Sequence, residues 1–232
     1  MKTCVFFLTG MLIAVIATSQ NQESKEMDVT PPTFKGEVPN SINAFIQKRV
    51  KYPAPDLKWR QQGTVVVGFV ITPEGKLEDI EVINSVSYAI DYEVIRALKS
   101  TGGKWTPGSI NGETVAMANE VSVVFKLYPD DNFVEIAKKY LDKGNQALFV
   151  KNQPEKALKY FNRGIAFLPN DGTLLAIRGL CRYKLGDEIG ATRDWDRTKV
   201  LANRKNSDVD FNYLTELMKN SGILKDYSEL LP

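Results

Sequence analysis

The sequence contains no histidine, and this absence narrows the chemistry that the chain can perform. Histidine is the commonest general base near neutral pH and the commonest protein ligand of transition metals. We therefore expect no catalytic residues, no metal site and no cofactor, and we expect that the protein is not an enzyme.

Cysteine is almost absent as well. Cys4 lies near the N-terminus beside an apolar run, and Cys181 stands alone in a helix-like segment. Once the N-terminal run is removed, no internal disulfide can form. A lone thiol without a histidine to activate it is expected to be a small core residue.

The chain also lacks an excess of charge of either sign. It has 30 Lys+Arg against 28 Asp+Glu, a net charge of +2, and no long block of one sign. Nucleic-acid binding is therefore not indicated. With 232 residues and 43% hydrophobic content, the chain can form two small domains.

The N-terminal segment, MKTCVFFLTGMLIAVIATSQNQ, has one lysine, an uncharged apolar run and small residues before Gln20. This pattern predicts a signal peptide over residues 1–19. The run is shorter than the ~20 apolar residues that a membrane-spanning helix needs, so we expect an exported, periplasmic chain. A retained leader would instead anchor it to the membrane. Residues 20–33 are polar, contain a Pro-Pro pair and are expected to form a flexible lead-in.

Residues 34–128 predict one folded unit with the order helix, strand, strand, helix, strand. The segments, in that order, are SINAFIQKRV, GTVVVGFVI, LEDIEVI, YAIDYEVIRALKS and EVSVVFKLY. Ser41 or Asn40 can cap the first helix, and Pro53 and Pro55 are expected to end it. The first strand is apolar on both faces, which predicts a central position in the sheet.

An ordered set of residues in this unit resembles the C-terminal domain of TonB, the periplasmic energy transducer of Gram-negative bacteria. The set comprises Tyr52-Pro53, Gly63, the alternating Val65, Val67 and Phe69, Gly75, Ile83-Asn84-Ser85, Ala97, Trp105-x-Pro107 and Val121-x-Val123-x-Phe125. The resemblance implies an α+β fold with a small antiparallel three-stranded sheet and two helices on one face.

The resemblance also implies a binding site. In the family, the last strand receives a short peptide from an outer-membrane transporter as an added strand, with the Tyr-Pro pair nearby. The corresponding residues are Tyr52, Pro53, Val121, Ser122, Val123, Val124, Phe125, Lys126 and Leu127. A structural alternative stays open: Tyr52-Pro53 only ends a helix, and Lys126 only protects a sheet edge from aggregation. The side chains of Val121, Val123 and Phe125 are expected in the core under either interpretation.

Residues 131–232 have a helical pattern that repeats with a period of 34. This period superposes Leu141 on Leu175, Asn145 on Gly179, Asn152 on Gly186, Ala157 on Ala191 and Phe161 on Trp195. The pattern resembles tetratricopeptide (TPR) repeats and implies an all-α domain of two repeats plus a degenerate capping repeat that begins near Asp208.

Such repeats bind partner proteins in a groove lined by their first helices. The groove residues implied here are Asp142, Gln146, Phe149, Thr173, Ala176, Leu180 and Tyr183. The alternative is that the repeats act as a docking spacer that orients the sheet domain.

Two functions remain open at this stage. The first is a periplasmic protein-binding module of TonB type that docks partner peptides by strand addition, in TonB-dependent outer-membrane transport or as an adaptor. The second is a cell-envelope scaffold in which the repeats bind and the sheet domain is structural. Both predict protein or peptide partners, TonB-dependent transporters among them, and neither predicts a nucleic acid or a small-molecule substrate.

Overall fold

A computed structural model describes residues 27–36 and 41–202. The chain divides into two compact units between Leu127 and Tyr128. The predicted signal peptide and the degenerate third repeat lie outside the described residues. No helix in the described part is both long and apolar enough to cross a membrane.

The described part of the first unit contains five short strands, three long strands and three helices. Its elements are β1 (Val29–Thr30), β2 (Thr33–Phe34), α1 (Ile42–Gln47), α2 (Ala54–Lys58), β3 (Gly63–Ile71), β4 (Leu77–Asn84), α3 (Tyr88–Lys99), β5 (Trp105–Thr106), β6 (Gly108–Ile110), β7 (Glu113–Val115) and β8 (Met117–Phe125).

The main sheet has the order β4-β3-β8, and both pairings are antiparallel. The prediction that β3 is central is therefore confirmed, and its apolar residues are buried on both faces. The β3–β8 register begins with Gly63 opposite Phe125 and continues without a shift to Ile71 opposite Met117. This leaves β4 and β8 as the two edges of the described sheet.

Helices α1 and α3 cover one face of this sheet. Phe45 and Ile46 from α1, and Ile90 and Val94 from α3, pack with the alternate residues of β3 and β8, and each of these four side chains is at most 1% exposed. Ser41 caps α1 as predicted, because its hydroxyl accepts a hydrogen bond from the Ala44 N–H. The expected mixed α/β unit with a small antiparallel sheet is present.

The turn between β3 and β4 requires a glycine. Gly75 has a φ of 75°, and a Cβ at this position would lie 2.8 Å from the carbonyl oxygen of Trp105. Any side chain would therefore add both backbone strain and a clash.

The described, C-terminal part of the lead-in differs from its prediction. β1 pairs with β6 and β2 pairs with β5, so the chain is already folded at Val29 and not flexible up to residue 33. Phe34 is buried, with its ring centroid 5.3 Å from that of Trp105. Strands of two residues leave no periodic signal, and such pairs form only because the rest of the unit supports them.

Two predicted boundaries are also wrong. Helix α1 ends at Gln47, well before the prolines, and Pro53 instead begins α2 as its N-cap. β8 begins at Met117 and ends at Phe125, so Lys126 and Leu127 follow the strand. Proline marks a position where a helix cannot continue, but a helix can end earlier when its apolar face runs out.

The second unit is helical in its described part. It contains α4 (Phe133–Asn145), a π-helical turn (Gln146–Val150), α5 (Pro154–Phe167), α6 (Gly172–Lys184) and α7 (Glu188–Ala202). Helices α6 and α7 are antiparallel, since Arg182 donates to the Gly190 carbonyl whereas Arg178, one turn earlier, donates to Asp194. Arg178 and Arg182 together neutralise the carboxylate of Asp194, which is 3% exposed.

Glycines allow the paired helices to approach closely. A Cβ on Gly179 would lie 2.5 Å from Nε1 of Trp195, and a Cβ on Gly144 would overlap the ring of Phe161. The fixed period aligns Asn145 with Gly179, but in the structure Gly144 is the residue that faces the aromatic ring. The π-helical turn that follows α4 accounts for the difference, because such a turn holds one residue more than an α-helical turn.

Candidate functional site

The outer edge of β8 is the surface that the family resemblance points to. Residues of an edge strand alternate between pairing with the neighbouring strand and pointing their N–H and C=O groups outward. Ser122 and Val124 are the outward residues, since their backbone N–H groups donate to side chains of α1 and not to β3.

Two amide side chains of α1 cover this edge. Asn43 Oδ1 accepts from the Ser122 N–H at 3.1 Å, and Gln47 Oε1 accepts from the Val124 N–H at 3.1 Å. Gln47 Nε2 in turn donates to the Val124 carbonyl at 3.0 Å. Sequence reasoning missed both residues. Their only signal is that two amides four residues apart lie on the same face of an amphipathic helix.

An open depression of about 410 Å³ lies at the C-terminal end of this edge. Its lining residues are Gln47, Val50, Tyr52, Val124, Phe125 and Lys126. The Tyr52 ring meets the Phe125 ring edge-on at a centroid distance of 5.4 Å, and its hydroxyl donates to the Gln61 carbonyl. The structure thus brings Tyr52 together with the C-terminal end of β8, as the resemblance implied.

Four other predicted peptide-site residues neither line the depression nor belong to the outward residues of β8. Val121 and Val123 are fully buried, and in this alternation their backbone groups face β3 and not the outer edge. Pro53 is the N-cap of α2. Leu127 is half-buried, and its N–H donates to Gln62 Oε1 at 3.2 Å.

Glu93 on α3 holds the segment that precedes Tyr52. Its carboxylate accepts from the Lys51 N–H at 3.0 Å and from Arg96, while Arg96 also donates to the Arg49 carbonyl at 2.9 Å. The hydrogen bond from Arg96 is the main reason that the pKa of Glu93 lies below its ordinary value. The backbone on this side of the depression is therefore fixed by charge-assisted hydrogen bonds.

The opposite edge of the sheet, β4, has a different character. Glu78, Asp79 and Glu81 are all exposed there, and the strand is irregular at Asp79, which has a φ of 50°. Glu74, in the turn before β4, is also exposed, and a hydrogen bond from the Thr72 hydroxyl lowers its pKa. None of these carboxylates has the buried environment of a catalytic acid.

The predicted groove residues of the helical unit are not on one surface. Asp142, Gln146 and Phe149 are exposed, whereas Ala176 and Leu180 are buried in the helical core. Thr173 and Tyr183 are half-buried. A separate depression of about 540 Å³ is lined by none of them; its residues are Gln153, Glu155, Lys156, Lys159 and Tyr160.

The described part of the chain contains one cysteine and no cluster of potential metal ligands. No three or more Cys, Asp or Glu residues converge there as metal ligands would. Cys181 is buried, its thiol donates to the Pro154 carbonyl at 3.0 Å, and burial raises its pKa to about 11. It is a packed core residue, as the sequence predicted.

Comparison with known families identifies one segment. The family described as the Gram-negative bacterial TonB protein C-terminal matches residues 48–127, from the end of α1 to just beyond β8. The resemblance of the first unit is thus confirmed, although the match covers less than half of the chain. Asn43 and Gln47 lie outside it.

One solved structure is similar to part of this chain. It is the C-terminal domain of TonB from Helicobacter pylori, at 24% sequence identity, with 38% of this chain and 92% of that chain covered and a TM-score of 0.30. No curated protein matches this chain.

Proposed function

We propose that the first unit binds an extended segment of a partner protein by adding it as a fourth strand at the outer edge of β8. The observation that carries the proposal is the outward direction of the backbone groups of Ser122 and Val124, next to a depression that contains Tyr52. Strand addition uses such groups for affinity and neighbouring pockets for side-chain selectivity.

The contrast between the two sheet edges supports β8 over β4. An added strand needs a regular ladder, and exposed charges or bulges on an edge discourage pairing. β4 carries three exposed acidic side chains and the irregular Asp79, whereas β8 pairs with β3 in an unbroken register.

The family match gives the partner class. TonB C-terminal domains bind protein partners in the cell envelope of Gram-negative bacteria, which is consistent with a periplasmic location and with the predicted export signal. The partner proposed here is the periplasmic N-terminal segment of a TonB-dependent outer-membrane transporter. The protein acts in energising that transporter or as an adaptor that uses the same docking mode, and it performs no catalysis.

A second candidate function comes from the helical unit. Its helix pairs each place a glycine against an aromatic ring, Gly144 against Phe161 and Gly179 against Trp195. The turns within the two pairs each contain a left-handed residue, Asn152 with a φ of 47° and Gly186 with a φ of 81°. This repetition favours a tetratricopeptide-type array, and a scaffold role in which that array binds the partner is the alternative function.

A titration with transporter-derived peptides distinguishes the two functions. Peptides from the N-terminal segments of TonB-dependent transporters are added to the full chain as recovered after export, and backbone amide shifts are followed by NMR. Shifts should concentrate on residues 118–126. Val124→Pro removes an outward N–H and should abolish these shifts, whereas the control Val124→Thr keeps the N–H and the β-branched shape and should bind.

The competing result is equally specific. Shifts confined to α4–α7, unaffected by Val124→Pro, would refute strand addition and favour the scaffold function.

A further inference from the structure

We propose that Gln47, together with Asn43, competes with the partner for the β8 edge, so that a strand can dock only when these amides withdraw. This inference rests on the proposed docking of a strand at β8. It assigns a gating role to two residues that lie before residue 48, where the family match begins, and that the match therefore does not supply.

The side chain of Gln47 offers the same hydrogen-bonding groups as a residue of an added strand. A residue in an added strand offers one N–H donor and one C=O acceptor, and the Gln47 side chain offers the same pair through Nε2 and Oε1. Both atoms are used on a single residue, Val124, at 3.0 and 3.1 Å. Carboxylates only accept and lysines only donate, whereas an uncharged amide has a separate donor and acceptor and can satisfy both backbone groups.

The spacing of the two amides also matches the spacing of the edge. Asn43 and Gln47 are four residues apart on α1, a rise of about 6 Å along a helix. Ser122 and Val124 are two residues apart on β8, about 6.8 Å along an antiparallel strand. Because these lengths are close, one turn of helix can satisfy two successive outward positions.

The side chains of Asn43 and Gln47, which together form a cap on the β8 edge, can move away without unfolding α1. Phe45 and Ile46 anchor α1 in the core with at most 1% exposure, whereas Asn43 and Gln47 are exposed. Rotation of the two amide side chains into water frees the Ser122 and Val124 backbone while α1 stays in place. Exposed hydrogen bonds are weak, so the two that Gln47 makes with Val124 lower the partner's affinity by only about threefold to tenfold and do not block binding.

The test compares Gln47→Ala with Gln62→Ala in the full chain as recovered after export. Gln62 is a matched control, because it also caps a backbone N–H, that of Leu127, but one that does not belong to the outward set of β8. Two quantities are measured for each variant: the amide hydrogen-exchange rate of Val124 in the free protein, and the affinity for a peptide from the N-terminal segment of a TonB-dependent transporter.

For Gln47→Ala, we expect faster hydrogen exchange at Val124 and a peptide affinity about threefold to tenfold higher than that of wild type. For Gln62→Ala, we expect the Val124 exchange rate and the peptide affinity to stay near the wild-type values. If Gln47→Ala binds the peptide but its Val124 exchange rate and its affinity equal those of wild type, the competition by the amides is refuted and strand docking is not. Faster exchange at Val124 without peptide binding to any form would overturn the docking function, and with it the competition. Hydrogen exchange at Val124 thus tests the cap in the absence of peptide, so a failure of the cap and a failure of strand docking give different results.

Discussion

Glu93 shows how a residue on α3 supports the depression beside β8. Its carboxylate fixes the Lys51 N–H, and its partner Arg96 fixes the Arg49 carbonyl. The pKa of Glu93 is lowered in the folded chain, so its stabilising effect is present above the ordinary glutamate pKa of 4.5 and is lost as the pH falls through the folded pKa.

We therefore expect Glu93→Gln to lower the melting temperature of the first unit by a few degrees at pH 7. This difference from wild type should shrink as the pH falls below about 4.5 and through the lowered folded pKa of Glu93, because the wild-type side chain then becomes protonated and uncharged, like glutamine. Thermal unfolding followed by circular dichroism between pH 3 and pH 7 measures it. Glu78→Gln, at an exposed carboxylate on β4, is the control, and a pH-independent difference for Glu93→Gln would contradict the assigned interaction.

From the residue pattern alone, a single residue is predictable where its signal is local. The pattern predicts Ser41 or Asn40 as the N-cap of α1, and Ser41 is the cap because its partner, the Ala44 N–H, lies three residues away. Gln47 was not predicted, because its partner Val124 is far away in the sequence and a polar residue on a helix surface normally faces water.

Helices and strands, like single residues, are predicted well when their cause is local and poorly when it depends on distant segments. β3 and α3 have strong periodic apolar patterns and were predicted at nearly their observed bounds. β1, β2, β5, β6 and β7 were missed because each is two or three residues long, and the β1–β6 and β2–β5 pairings also join distant segments. The pairing of α6 with α7 depends in addition on a small residue, which a pattern of apolar residues does not reveal.

Gly179→Ala should destabilise the α6–α7 pair. Its methyl group would lie 2.5 Å from Trp195 Nε1, which donates to the Ala176 carbonyl at 3.2 Å. Overpacking of this kind costs about 1–3 kcal/mol, which exceeds the gain of about 1 kcal/mol from replacing a helical glycine by alanine. Urea unfolding of the helical unit measures the net loss.

Gly102→Ala, measured on the unfolding of the first unit, is the control for a glycine with room for a methyl group, since the nearest atom to its added Cβ is the Lys99 carbonyl oxygen at 3.5 Å. This variant should be close to wild type. An unfolding free energy for Gly179→Ala that equals the wild-type value would show that the two helices do not need a glycine at their point of contact.

The described residues form two hydrophobic cores, one in each compact unit. We expect residues 20–127 and residues 128–232 to fold as separate fragments, because each has its own set of buried apolar side chains. Ala191→Trp places a large ring at a fully buried position and should lower the stability of the helical unit by about 1–3 kcal/mol, leaving the sheet unit's transition unchanged.

Differential scanning calorimetry on the intact chain and on both fragments tests this prediction. Two transitions in the intact chain, of which only one moves with Ala191→Trp, are expected. A single transition that moves as a whole, together with unfolded fragments, would show that the chain has one cooperative core.

The π-helical turn after α4 changes the phase of the repeat. Gly144 precedes Ala157 by thirteen residues, whereas Gly179 precedes Ala191 by twelve. Adding one residue rotates the frame of an α-helix by about 100°, so an ungapped comparison assigns the residues of α4 to the wrong stripe of the helix surface. This explains why Asp142 and Gln146 are exposed while Ala176 and Leu180, their partners at the fixed period, are buried. When Gly144 is aligned with Gly179, the counterparts of Ala176 and Leu180 are Leu141 and Asn145. The exposed residues of α4 then have no exposed counterparts on α6.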